Sequence, residues 1–543
     1  MGFYLFLVVL NFIGAGIVTL WLAYYLITNL QWYNYKIGRV LNNHHSPSSH
    51  LFYFLLPLTI TLFSPIGGGL ISIAVAFRFF KINRQGAKIT KRVIRFFTLL
   101  HLCYILGIMA ISLLGWYFLA NHGIKLLYHQ KVVITNPFLL SQIQQKGIEG
   151  IKPILNQSPL SFTPFKPMTF LPLISVGITL FLSNLLERLL FFRYYKTARK
   201  RLAKIDPIVI GITGSYGKTS IKHFLAQILE NKKEKIYPTP RSVNTLKGIV
   251  KDINCDLPTD TKIYIVEMGA RQPGDIWEIV KLVAPHYSIL GKVGPQHLDY
   301  FKSLERIIFT KMEIFKSPRL KKGFTLQSLS NILNQITGSK DKSILKEEWN
   351  NWIISLEGKI EPISATLEGC RWRLKIGNNW EEFFTPILGK FQIYNISLAI
   401  YLALEFMDLS EIKQKVANLV PVSHRLQPIK SGDKFIIDDS FNGNLEGVLG
   451  SFQLVKGWSG KKVIVTPGLV EAPEEFNRQI AQKINRTFDL AIITGRLNRK
   501  IFQKELTIPT IIVENKKELE QVLAQNLPSG SLILFSNDFP EYL

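Results

Sequence analysis

The sequence predicts an α-helical membrane domain of four spans, residues 1–204, followed by two α/β domains over 205–422 and 423–543. Three observations predict it. Residues 1–204 hold 21 basic and only 2 acidic side chains, set among apolar runs long enough to cross a bilayer. From Ile208 onward, short β-branched runs alternate with helix-like stretches, the pattern of parallel sheets covered on both faces. A glycine-rich turn between the first such run and the first helix has the composition of a phosphate cradle.

The apolar runs are Phe3–Leu30, Leu51–Phe80, Phe97–Ala120 and Thr169–Phe192. The first lacks a basic leader and exceeds a secretory core in length, so it reads as a retained anchor. The second is interrupted by Pro65, Gly67, Gly68 and Gly69; neither half alone is long enough to span, which favours one kinked helix over two helices and leaves a re-entrant turn as the alternative. Basic residues cluster at 81–96 and at 193–204, and both clusters are expected on the cytoplasmic face. Four spans then put the N-terminus and the α/β domains inside, and 31–50 and 121–168 outside. Glu187 and Arg188 within the last run read as a pair near one face or at a helix interface, and His44, His45 and His50 as solvated loop residues.

Composition narrows the function. A 47% hydrophobic and 12% aromatic chain of 543 residues is not a disordered one. The net charge of +26 resides mostly in the apolar half; the remainder holds 44 basic and 37 acidic residues. The partner implied is therefore membrane lipid, not nucleic acid. Cys103, Cys255 and Cys370 lie far apart, which excludes a disulfide framework and a four-cysteine zinc site.

In the second half the expected strands are Ile208–Thr213, Ile263–Glu267, Ser288–Leu290, Phe435–Asp438, Val463–Thr466, Leu490–Thr494, Thr510–Val513 and Ser531–Phe535. Residues 353–388 alternate like antiparallel hairpins, and a domain boundary is expected near 422. Between the first strand and its helix stand Gly214, Ser215, Tyr216, Gly217, Lys218, Thr219 and Ser220. Glycines let backbone N–H groups approach phosphates, the helix N-terminus favours anions, a lysine pairs with phosphate oxygens, and a threonine hydroxyl can hold Mg²⁺. Ile212 stands where the common form of this loop has its first glycine. The context, strand then loop then helix, makes this a nucleotide site.

These residues resemble the phosphate loop of the Mur ligase and folylpolyglutamate synthase superfamily, and further segments match in order. They are Thr239 to Gly248 with Asn244; Glu267, Met268 and Gly269 at a strand end; Gly294 to Leu298 with His297; Lys311 with Glu313; Gly389 and Lys390 with Asn395; and His424, Arg425 and Leu426. Asp438, Asp439, Ser440, Phe441, Asn442, Gly443 and Asn444 are similar to a segment of the members that add D-alanyl-D-alanine. Gly468 with Glu471, and Asn537 with Pro540, resemble a membrane-anchored subgroup of these.

The resemblance implies a P-loop central domain, a Rossmann-like C-terminal domain, ATP and Mg²⁺ as cofactors, and amide formation through an acyl phosphate. It implies Mg²⁺ at Thr219, Glu267 and His297, a carbamate on Lys311, nucleotide contacts from Asn395, Arg425 and Asp439, and substrate contacts from Asn244, Asn442 and Asn444. Lys311 also reads as an ordinary helix lysine, and Asn442 and Asn444 as turn residues. The implied substrates are a muropeptide carboxylate and D-alanyl-D-alanine, and the implied partner is a cell-wall synthesis complex. Phe391 and Gln392 replace the usual His-Asn, Phe441 a tyrosine, and Leu445 a proline. Soluble members begin with a small domain that grips a UDP-sugar; apolar runs occupy that place here. Two rivals are a membrane-associated polyglutamate-type synthetase of the same superfamily and a non-catalytic membrane scaffold or transporter.

Overall fold

The computed structural model describes residues 2–32, 51–82, 90, 92–111, 113, 165–231, 234–240, 243–295, 301–334, 351–441, 444–469, 473–495, 498–513 and 518–537. The chain divides into two compact units, Met1–Phe192 and Arg193–Leu543.

In the first unit, α1 (Gly2–Trp32) carries the apolar stretch expected first. The stretch expected as one kinked span does not form one. A π-helical turn, Leu51–Leu55, leads into α2 (Leu56–Phe63), and a new helix, α3, covers Pro65–Ile82. Ser64 between them is extended, at φ −152° and ψ 113°. Proline disfavours the helical conformation in the residue before it and clashes with the turn behind, so the chain breaks here and does not bend. The two arms then fold back on each other. Tyr53 meets Phe79 edge to face at 5.3 Å, and the Arg78 guanidinium lies over the Phe52 ring at 4.9 Å. Glycine permits the close approach at the bend: a Cβ on Gly68 would stand 2.0 Å from Thr61 Oγ1.

The second apolar run is thus two helices in place of the one expected. Among the described residues three helices are long and apolar enough to cross a membrane, with windows Val9–Thr28, Arg92–Ile111 and Phe170–Ile205. They lie in α1, α4 (Arg92–Ile111) and α5 (Phe165–Ile205). Glu187 of α5 is held by Arg92, at 4.0 Å, and Arg95 of α4. Residues 33–50, 83–89 and 114–164, including the three loop histidines, lie outside the described residues.

Among the described residues the second unit holds three sheets. Strands β1 (Ile208–Thr213), β2 (Lys235–Pro238), β3 (Thr261–Glu267), β4 (Tyr287–Leu290), β5 (Lys322–Thr325) and β6 (Ile353–Ser355) form one parallel sheet in the order β2-β3-β1-β4-β5-β6. Its central strands are continuous Ile/Val runs because both faces are covered. The covering helices are α6 (Lys218–Leu229), α7 (Leu246–Cys255), α8 (Asp275–Val283) and α9 (Leu304–Met312). Three antiparallel strands, β7 (Ile360–Thr366), β8 (Gly369–Ile376) and β9 (Asn379–Thr385), share a core with the parallel sheet through Trp372, Phe383 and helix α10 (Lys390–Ala403).

The third sheet has the order β10-β11-β15-β12-β13-β14, from β10 (Gln427–Ser431), β11 (Lys434–Asp439), β12 (Lys462–Thr466), β13 (Leu490–Thr494), β14 (Thr510–Val513) and β15 (Leu532–Ser536). Only β10 runs antiparallel. Helix α11 (Leu445–Val455) follows β11, and its Val448 and Phe452 anchor the core of this sheet with Ile464 and Leu534. The eight strands expected from sequence all form. Strands β2, β5 and β10 were missed, and Ile353–Ser355, expected within a hairpin, instead extends the parallel sheet.

Candidate functional site

The crossover order of the first sheet brings the carboxyl ends of β1, β3 and β4 together, the edge at which open α/β sheets bind ligands. Each end carries one part of the site. At the end of β1 the loop 214–217 turns into α6. Gly217 has φ +80°, and a Cβ there would lie 2.4 Å from Asn395 Oδ1 on α10, so only glycine fits. The backbone N–H groups of Ser215 and Tyr216 donate to the Lys292 carbonyl at 2.9 and 3.1 Å, and the Ser215 hydroxyl donates to the Gly294 carbonyl at 2.9 Å. The segment after β4 thus braces the loop.

Lys218, the first residue of α6, folds its Nζ back over that loop and donates to the carbonyls of Gly214 (2.8 Å) and Ser215 (3.0 Å). Burial lowers its pKa to about 8; Glu267 opposes this shift and Arg425 adds to it. Arg425, from the segment before β10, therefore stands close enough for its charge to reach Lys218.

At the end of β3, Glu267 is 3% exposed. The Thr219 hydroxyl donates to its Oε2 at 3.1 Å, the Asn244 amide donates to Oε1 at 3.2 Å, and Lys222 Nζ faces Oε2 at 3.1 Å. Burial alone would raise this carboxyl, but Lys222, Lys218 and the Asn244 amide outweigh it and hold it below the ordinary carboxylate range. The Glu267 N–H donates to Thr239 Oγ1 at 3.1 Å, which fixes the strand end. A hydroxyl and a carboxylate converging at this distance form a hard-oxygen pair that suits Mg²⁺, provided phosphate oxygens complete its shell. His297, expected beside them, lies outside the described residues, as does Asn442.

Lys311, near the end of α9, is 3% exposed. Burial, and after it the charge of Lys218, pushes its ammonium well below the usual lysine range, against the pull of Asp275 and Glu313. Glu313 accepts from the backbone N–H groups of Gly274 (2.8 Å) and Trp277 (2.9 Å), tying the start of α8 to the end of α9. Asn395 is buried, with its amide donating to Gln392 Oε1 at 2.8 Å. Asp439 is also buried, and its Oδ1 accepts from the Leu426 N–H at 3.2 Å, directly beside Arg425. It therefore shapes the turn in which His424 and Leu426 both have positive φ. Asn444 caps α11, its side chain accepting from the Gly447 N–H at 2.8 Å. Asn244 lies on Glu267; Asn444 lies at a helix start.

Sequence reasoning missed Lys222. It sits one turn after Lys218 on the face of α6 that carries the buried Ile221 and Leu225, and it is fully buried itself. A lysine four residues beyond a phosphate-loop lysine, on a helix face that must pack a core, is the signal that pointed to it.

Comparison with known proteins fits this arrangement. Residues 212–403 match the Mur ligase middle domain. Over these residues the chain is similar to the Mur ligases. With the relatives that follow, this makes the chain an ATP-dependent peptide ligase. It is 27% identical over 357 residues to the UDP-N-acetylmuramoyl-tripeptide--D-alanyl-D-alanine ligase of Bacillus subtilis (strain 168), covering 62% of this chain and 74% of that one. It is 27% identical over 301 residues to the ligase of the same name from Buchnera aphidicola subsp. Baizongia pistaciae, covering 54% of this chain and 64%, just under two thirds, of that one. The crystal structure of MurF ligase from Thermotoga maritima in complex with ADP superposes with a TM-score of 0.53 at 24% identity, covering 63% of this chain and 79% of that one, and establishes the shared fold.

Proposed function

We propose that this ligase joins a muropeptide carboxylate to D-alanyl-D-alanine. In the first step a carboxylate oxygen attacks the γ-phosphorus of ATP, the bond to the β-phosphate oxygen breaks, and ADP leaves an acyl phosphate behind. The amine of D-alanyl-D-alanine then attacks the acyl carbon, loses a proton, and expels phosphate. The reading is carried by the convergence of the phosphate loop, Thr219 and Glu267 at one sheet edge, in a chain similar to ligases named for this reaction.

The roles follow from chemistry. Lys218 and the backbone N–H groups at the start of α6 bind and orient the phosphates, and Arg425 adds positive charge from the last domain. Thr219 and Glu267 would hold Mg²⁺, with His297 by family resemblance; the ion supplies neutralisation of phosphate charge. Burial disfavours the Lys311 ammonium and so favours the amine that adds CO₂ to give a carbamate. Asn395 backs the loop at Gly217, and Asp439 orients the turn carrying Arg425. The apolar helices anchor the enzyme in the cell membrane with both ligase domains in the cytoplasm, where membrane lipid and a cell-wall synthesis complex are its neighbours.

The test is release of ADP and phosphate by the purified full chain with ATP, Mg²⁺ and D-alanyl-D-alanine, offered UDP-N-acetylmuramoyl-tripeptide or its lipid-linked counterpart. Turnover with either supports the reading, and turnover with the lipid-linked form alone moves the reaction to the membrane. Turnover only with glutamate or a glutamyl polymer overturns it.

A further inference from the structure

The charge balance around Glu267 is unusual for a divalent-metal site. Among the described residues no cluster of three His, Cys, Asp or Glu could hold a metal ion. Glu267 stands instead between two ammonium groups on one helix: Lys222 at 3.1 Å, and Lys218, whose charge acts on it as well. Arg425 adds a third positive group within reach of Lys218. Asp252, the other carboxylate whose field reaches Lys222, is engaged by the hydroxyls of Tyr237 (2.8 Å) and Tyr264 (2.7 Å). Lys222 therefore stands between two carboxylates, whereas among the described residues Glu267 is the carboxylate that faces both lysines. Lys222 is 0% exposed, so water does not screen it.

Two consequences follow. Oε2 of Glu267 already accepts from the Thr219 hydroxyl and is ion-paired with the Lys222 ammonium at 3.1 Å, so an entering cation must compete for that oxygen. The cation must also approach an oxygen that lies in the field of two ammonium groups, Lys222 and Lys218. A nucleotide removes both obstacles, because its phosphates bring negative charge and further oxygens.

Resting on the reading of this pocket as a nucleotide–metal site, we propose that Lys222 is a positioning residue that makes divalent-metal binding conditional on nucleotide. It holds the Glu267 carboxylate in place and excludes a metal ion that arrives alone. The ion enters with the phosphates.

Mn²⁺ binding to the purified full chain in detergent, followed by electron paramagnetic resonance with and without ADP, tests this. Wild type is expected to bind Mn²⁺ at least about tenfold more tightly with ADP than without. In Lys222→Met the affinity without ADP is expected to rise at least about fivefold and the ADP enhancement to shrink, while Lys222→Arg keeps the wild-type dependence. Should the methionine variant fail to melt cooperatively, Lys222→Gln, which keeps a donor but no charge, is read in the same way. Equal Mn²⁺ affinity with and without ADP in wild type overturns the proposal. So does an uncharged variant that is folded and retains the full ADP requirement. ADP binding measured separately distinguishes the two levels: no ADP binding to wild type removes the nucleotide-site reading itself, whereas ADP binding with nucleotide-independent Mn²⁺ removes only this inference.

Discussion

Tyr53 and Phe79 meet edge to face with ring centroids 5.3 Å apart, although a continuous helix joining them would separate them by about 39 Å. The second apolar stretch is therefore a hairpin that returns to the face it left, with Trp21 and Tyr25 of α1 packed on the same aromatic cluster. The consequence is topological. With α1, α4 and α5 as the crossing helices and the basic stretch at 193–204 inside, the start of α1 is expected outside, opposite to the side that four spans imply. A single cysteine at Phe3→Cys, with Cys103, Cys255 and Cys370 replaced by serine, is expected to react with a membrane-impermeant maleimide on intact cells. Protection until the membrane is permeabilised would restore the four-span topology.

Lys218 gives the pH dependence a definite sign. Its pKa of about 8 is depressed, and phosphate binding needs the ammonium. kcat/KM for ATP, which reports the free enzyme, is expected to fall as pH rises through about 8. The stability linkage runs the other way: between about 8 and the usual lysine value the unfolded chain binds more protons than the native one, so this residue makes the fold more stable as pH rises through that window. Lys218→Ala is expected to lower kcat/KM at least about 100-fold and to abolish this limb of the profile. An unchanged alkaline limb in that variant would assign the titration elsewhere.

Much of this site was legible because phosphate chemistry constrains the chain locally. A strand, a glycine turn and a lysine at a helix start are contiguous in sequence, so Gly217, Lys218 and Thr219 could be read directly. Lys222 was not, because its partner Glu267 is brought to it only by the pairing of β1 with β3. Strand β2 was missed for a similar reason: Lys235–Pro238 is a short edge strand bearing a lysine and a proline, and only its neighbour β3 defines it. The hairpin was misjudged because the apolar composition of 51–80 says that it is buried in something apolar, whereas the backbone break at Ser64 depends on which way the chain leaves Pro65.

Asn444 separates a structural from a substrate role. Its side chain accepts from the Gly447 N–H at 2.8 Å as the N-cap of α11. Asn444→Ala is expected to cost about 1 kcal/mol of stability, and Asn444→Ser only a fraction of that, with KM for D-alanyl-D-alanine unchanged in both. A raised KM at unaltered melting temperature would place this side chain on the substrate instead.

Lys311 is the sharpest remaining case, since a buried lysine on an ordinary helix face and a carbamate precursor look alike in sequence. Its ammonium is destabilised first by burial and then by Lys218, which favours the amine that adds CO₂. Incubation with ¹³C-bicarbonate is expected to give a protein-bound carbamate resonance that is absent from Lys311→Ala, and kcat in that variant is expected to fall at least about 100-fold. Lys311→Arg, which keeps a cation and cannot form the carbamate, separates the two roles. Recovery of activity with arginine would make the residue a plain cation, whereas loss equal to that of alanine would make the anion its working form.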